Sequence, residues 1–149
     1  MKHLQEPEAI KKRLIKNLKE KGYRLTSQRL EIIDLLSKDT THASAMDIFK
    51  TVRQKAPQIS LSTVYYTLDI LKKEGSIREL EFYDRDNRYD VNVSNHINLI
   101  CTKCGKIEDF MEASPVSSQT IEKKTGFKPF EMRFEYYGCC KVCGTKKKR

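Results

Sequence analysis

An α+β fold in two parts is predicted by three observations on the sequence. Apolar residues recur at helical spacing from Ile10 to Gly75, β-prone runs flank a polar turn after Gly75, and two C-x-x-C-G motifs stand in the final third. The change of texture places the domains at residues 1–91 and 92–149. A chain of 149 residues suits two small domains of this kind, and small domains often need a metal or a partner chain for stability.

The first part reads as four helical blocks. Ile10–Lys21 aligns Ile10, Leu14 and Leu18, and Gly22 is placed to end it. Thr26 is the N-cap of a second block through Leu30, Ile33 and Leu36. After "THAS", Ser44 caps a third block that aligns Ala45, Phe49 and Val52, with Asp47 favourably placed in its first turn and Pro57 closing it. The fourth, "SLSTVYYTLDILKKEG", buries Val64, Leu68 and Leu71 and leaves Ser60, Ser62, Thr63, Tyr65 and Tyr66 largely on the other side. Hydroxyls and aromatics crowding a helix N-terminus suit phosphate and base-edge contacts, although the pattern alone equally fits a surface helix whose tyrosines pack on neighbours.

After Gly75, "SIRELEFYDRDNRYDV" reads as a hairpin around "DRDN". Helices followed by such a hairpin form a winged helix-turn-helix, and that order favours DNA as the partner. Arg24, Gln28 and Arg29, near the start of the second helix, are candidates to hold phosphates. A net charge of +9 and a pI of about 9.3 agree with a polyanionic partner. The apolar runs are far short of a bilayer span and the N-terminus has no signal-peptide core, so a cytoplasmic protein without membrane contact is expected. No nucleophile–base motif or phosphate loop stands in the sequence, and no enzyme is expected.

The second part carries all five cysteines, an odd number that argues against a disulfide framework and for metal. "CTKCG" at 101–105 and "CKVCG" at 140–144 are twins, each able to bring two sulfurs to one ion, with a glycine that permits a tight knuckle. Cys101, Cys104, Cys140 and Cys143 together make a closed structural Zn2+ site. Cys139 could replace Cys140, but only Cys140 completes the motif, which leaves Cys139 a free thiol. "KIEDFME", "SSQTIEKKTGF" and "PFEMRFEYYG" supply a strand, a helix and a returning strand, the last with Phe130, Met132, Phe134 and Tyr136 alternating on one face. A small α/β domain with a three-stranded antiparallel sheet is expected.

"NHINLIC" reads as a strand in which His96, Asn98 and Ile100 share one face and Cys101 begins the other. A zinc held by Cys101 is therefore poorly placed to receive His96, which is either an ordinary core or solvated histidine or a ligand of a second ion. His42, Asp90 and Asp109 are further nitrogen and oxygen candidates that spacing alone does not bring together.

Taken in order, "YRLTSQRLEII", "THASAMDIF", "SLSTVYYTLDIL", "NRYDV", "HINLICTKCGKIEDF" and "YYGCCKVC" resemble the ferric uptake regulator family over nearly the whole chain. The resemblance implies a metal-dependent transcriptional repressor, with a winged-helix domain and a dimerisation domain, acting as a homodimer on a palindromic double-stranded operator. It puts the structural zinc on the same four cysteines and a regulatory ion on His42, Asp90, His96 and Asp109. Asn98 stands where most members have a second histidine, so its amide oxygen, a water or His3 would complete the set. Asp109, where iron sensors of the family usually carry glutamate, is similar to the peroxide-responsive branch. There Fe2+ or Mn2+ is the regulatory ion and peroxide oxidises a ligating histidine, here His42 or His96. The nearest alternative is an iron-, manganese- or zinc-responsive repressor without peroxide sensing. From another class, the chain would be a zinc-ribbon module for protein contacts.

Overall fold

The computed structural model describes residues 6–112 and 116–145. They form two compact units, one ending at Val93 and the other beginning at Ser94.

The first unit contains α1 (Pro7–Glu20), α2 (Ser27–Lys38), α3 (Ala45–Lys55) and α4 (Leu61–Lys73), then β1 (Arg78–Leu80) and β2 (Arg88–Asp90). α1 starts three residues before the expected Ile10, because Pro7 brings a helical φ and lacks only an amide that would have no partner there. Gly22, at φ 78°, lets the amide of Tyr23 turn back to the Leu18 carbonyl and close the helix. Thr26 and Ser60 cap α2 and α4 through their hydroxyls, and Ser44 and Asp47 form a reciprocal capping box on α3.

Leu14, Leu18, Ile32, Ile33, Ile48, Val64, Leu68 and Leu71 are fully buried in one core, each stabilising it by roughly 1.5–3 kcal/mol. In α3 the buried stripe passes through Ile48; Phe49 sits at its edge under the Arg53 guanidinium, 5.5 Å from the ring centroid. Arg13 crosses from α1 to the Ser76 and Val91 carbonyls at 3.0 and 2.7 Å, tying the helices to both ends of the β hairpin. β1 and β2 pair antiparallel from Arg78↔Asp90 to Leu80↔Arg88, and with α2 to α4 they complete the winged helix.

The second unit contains β3 (Ile97–Cys101), β4 (Ile107–Phe110), α5 (Ser118–Thr125), β5 (Glu135–Gly138) and α6 (Lys141–Thr145). Its three strands stand in the order β4-β3-β5. β4 is antiparallel to β3, but β5 is parallel to it, so the sheet is mixed where an antiparallel one was expected. The tight turn at 102–106 can only reverse the chain, whereas the long connection through α5 carries it across β3 to the far edge. β5 is also shorter than the alternation of apolar residues suggests: Phe130, Met132 and Phe134 precede it, and Phe130 is fully exposed.

Among the described residues no helix is long and apolar enough to cross a membrane.

Candidate metal centres and nucleic-acid interface

Cys101 ends β3, Cys104 closes the turn that follows, and Cys140 and Cys143 flank the start of α6. The four sulfurs all lie within 4.8 Å of one another, with Cys104 Sγ 3.7 Å from Cys140 Sγ. A tetrahedron of Zn–S bonds of roughly 2.3 Å has edges of about 3.8 Å, which the Cys104–Cys140 separation matches and the whole cluster approaches.

The backbone prepares the charge. The Cys140 amide donates to Cys101 Sγ at 3.3 Å, and this, with the Cys104 amide, holds the Cys101 thiol down to about 6. Cys143 is pushed up to about 12 by the sulfurs of Cys140 and Cys104 beside it. Four crowded sulfurs cannot all ionise by themselves; a dication removes that conflict.

The two C-x-x-C-G motifs are not structural twins. Gly105 takes a left-handed φ of 73° to turn the chain into β4, while Gly144 lies inside α6. Cys139 is exposed and outside the cluster of four.

Each unit also holds a histidine–carboxylate pair. In the first, His42 Nε2 lies 3.7 Å from Asp90 Oδ2, both side chains almost wholly buried. The loop carrying His42 is fastened on two sides. Asp39 accepts from the Thr41 amide and hydroxyl and from the Ala43 amide, while Arg88 of β2 donates to the carbonyls of Thr41 and His42. His42 is held at φ 57°, and it is the one non-glycine residue with positive φ among those described.

In the second unit, His96 Nε2 lies 3.6 Å from Asp109 Oδ1. The Ser94 carbonyl accepts from His96 Nδ1 at 2.9 Å, which leaves the lone pair on Nε2, facing Asp109. Asn98 pairs with Asp109 across β3 and β4, and its side chain is buried. Imidazole nitrogen with carboxylate oxygen is a donor set that suits Fe2+ or Mn2+. His3 lies outside the described residues.

On α4, Ser60 Oγ accepts from the Thr63 amide at 3.1 Å and meets the hydroxyls of Ser62 and Thr63 at 2.9 Å. Ser62, Tyr65 and Tyr66 are exposed, leaving hydroxyls and two aromatic rings toward solvent. Arg24 is exposed and Gln28 half-buried. Arg29 turns inward: it is buried, donates to the Arg24 carbonyl, and lies 5.9 Å from the centroid of the Tyr66 ring.

Sequence reasoning passed over Asp39 and Arg88. An aspartate two residues before a threonine in a turn is a legible Asx signal, whereas Arg88 reaches its partners across more than forty residues and leaves no local trace.

A winged helix with hydroxyls and tyrosines exposed on its fourth helix, joined to a unit closed by four cysteines, defines a metal-containing transcription regulator. The Ferric uptake regulator family matches residues 20–137, and the chain belongs to that family. It is 38% identical to the peroxide operon regulator of Bacillus subtilis, over 91% of this chain and 94% of that protein. It is 37% identical to the peroxide-responsive repressor PerR of Staphylococcus epidermidis, over 87% of each. Among solved structures, the ferric uptake regulator of Helicobacter pylori, described as having three functional metal-binding sites, superposes with a TM-score of 0.77 at 32% identity, over 99% of this chain and 100% of that one.

Regulators of this family are DNA-binding dimers with a C-terminal dimerisation domain. The second unit is built accordingly: α5 and α6 bury no residue, and Phe110, Phe127, Phe130, Tyr136, Tyr137 and Val142 are exposed.

Proposed function

We propose that this protein is a metal-dependent repressor that responds to peroxide, binding a palindromic operator as a homodimer. The observation that carries the reading is the His96–Asp109 pair, in which the Ser94 carbonyl presents Nε2 as a ligand beside an aspartate. The 38% identity to a peroxide operon regulator supports it.

His42, Asp90, His96 and Asp109 hold the regulatory ion, Fe2+ or Mn2+, while Cys101, Cys104, Cys140 and Cys143 hold zinc. A bound ferrous ion supplies the electron that activates hydrogen peroxide. The chain supplies the rest. Ser94 fixes the ring of His96, and Asp39 and Arg88 fix the loop of His42, so each imidazole is held in one orientation and would be exposed to oxidation as a ligand. An imidazole that has gained oxygen is a poorer ligand, and the loss of the ion removes its preference for the DNA-binding arrangement. Ser60, Ser62, Thr63, Tyr65 and Tyr66 meet the operator from α4, with Arg24 and Gln28 on its phosphates. Arg29 acts by placing Tyr66.

The test is operator binding with iron, manganese or zinc loaded, before and after a small dose of peroxide, with mass analysis of the peptides containing His42 and His96. Release of DNA from the iron-loaded protein, with oxygen gained on either histidine, is expected. Iron-loaded protein that keeps its DNA and gains no oxygen excludes peroxide sensing and leaves a repressor that responds to the metal alone.

A further inference from the structure

Asn98 occupies a position that a structural asparagine fills badly. It lies on β3, only 6% exposed, two residues from His96 and directly across the ladder from Asp109. Its backbone amide is used, donating to the Phe134 carbonyl at 2.9 Å, but its side-chain oxygen has no hydrogen-bond partner among the described residues. Burying an amide oxygen without a partner is costly, and buried polar atoms of this kind ordinarily have one. A cation beside the adjacent histidine–aspartate pair would satisfy it.

We infer that Asn98 Oδ1 is a ligand of the regulatory ion and biases the site toward harder cations, Mn2+ and Fe2+, over Zn2+. This rests on the reading of His96 and Asp109 as ligands and deepens it. Asn98 adds an amide oxygen to the imidazole nitrogen of His96 and the carboxylate oxygen of Asp109, and oxygen donors favour manganese where imidazole favours zinc. The amide is neutral in every state. It therefore changes donor hardness without changing the charge of the site, and no proton competes with the ion at that position. It also offers peroxide no imidazole, which confines oxidation to His42 and His96.

The experiment uses the full-length protein with its cysteine zinc retained and titrates Mn2+ and Zn2+ separately into the wild type, Asn98→His and Asn98→Leu, alongside thermal melts with and without Mn2+. Asn98→His should raise the affinity for Zn2+ relative to Mn2+ on the order of 10- to 100-fold. Asn98→Leu should weaken Mn2+ binding by about tenfold or more, while the metal-free protein melts no lower than the wild type, because an orphaned buried amide oxygen has been replaced by an apolar group of similar size.

If Asn98→Leu lowers the metal-free melting temperature and leaves Mn2+ affinity unchanged, the amide is structural and the inference is wrong. An unchanged Zn2+-to-Mn2+ preference in Asn98→His also overturns it. A wild type that takes up no ion beyond its zinc fails earlier and differently, and removes the regulatory site itself.

Discussion

The four cysteines and the two histidine–carboxylate pairs differ in burial and in what holds them. Cys101 is buried at the end of β3, but Cys104 is exposed and Cys140 and Cys143 are half-buried, on a turn and at the start of a short helix that buries no residue. His42, Asp90 and His96 are nearly inaccessible and oriented by other residues, Arg88 and Asp39 in one unit and Ser94 in the other. The cysteine centre must therefore hold the chain, whereas the chain holds the histidines. A structural ion and a regulatory one are told apart by which partner does the positioning.

The comparison breaks most visibly at the cysteines. Cys101→Ser should unfold the second unit and dissociate the dimer, because the affinity of a four-sulfur zinc site, on the order of 10 kcal/mol, is also folding free energy. Sedimentation and circular dichroism report it, and a folded dimeric Cys101→Ser protein would refute the assignment. His96→Ala should do the opposite, keeping the dimer and its melting temperature nearly intact while metal-activated operator binding falls by about 100-fold or more. Fluorescence anisotropy on labelled operator, with and without Mn2+, measures this; loss of folding equal to that of Cys101→Ser would merge the two centres into one role.

Smaller effects sharpen the contrast. Arg88→Ala removes charge-assisted hydrogen bonds to two loop carbonyls, so a loss of roughly 1.5–3 kcal/mol is expected, together with weaker binding of the regulatory ion. A variant that melts early yet binds Mn2+ as the wild type does would mean that the His42 loop needs no fastening.

The smallest concerns Asp34, which Lys11 and Lys38 together hold down to about 2 from 3.8. Its folded pKa lies below its unfolded one. The stabilisation is thus complete above about pH 4 and lost as the pH falls through 2. With both lysines partly solvated it amounts to about 1 kcal/mol, which Asp34→Asn should remove at pH 7 and leave unaffected at pH 2. Equal melting of the two proteins at pH 7 would show the pair to be idle.

Much of the fold lies in local signals. Thr26, Ser44 and Ser60 mark helix starts because a capping hydroxyl needs only its own next turn, and C-x-x-C marks a metal pair because two sulfurs three residues apart need only one tight loop. The direction of β5 is a different matter: alternation reports which face a side chain takes and is blind to which way a strand runs. The same blindness let Phe130 and Met132 pass for strand residues, although nothing in the described unit covers Phe130. Parity assigns His96, which immediately precedes β3, and Cys101, which ends it, to opposite faces. Bringing His42 beside Asp90 required Arg88 and β2, a tertiary arrangement that no window of sequence contains. Arg29 looked like a phosphate ligand by charge alone, and only its burial, with the Arg24 carbonyl and the Tyr66 ring beside it, reveals an inward role.

The turn at 102–106 has a second consequence. It closes the cysteine knuckle and also sets the β3–β4 register, in which Ile100 meets Ile107 and Asn98 meets Asp109. A strand shifted by one residue presents every side chain to the opposite face. Insertion or deletion of a single residue between Cys101 and Ile107 would therefore carry Asp109 away from His96 even if all four sulfurs still closed. Under the proposed function two ions constrain the length of that short loop, so relatives of this chain should vary Thr102, Lys103 and Lys106 while keeping Cys104, Gly105 and the loop length.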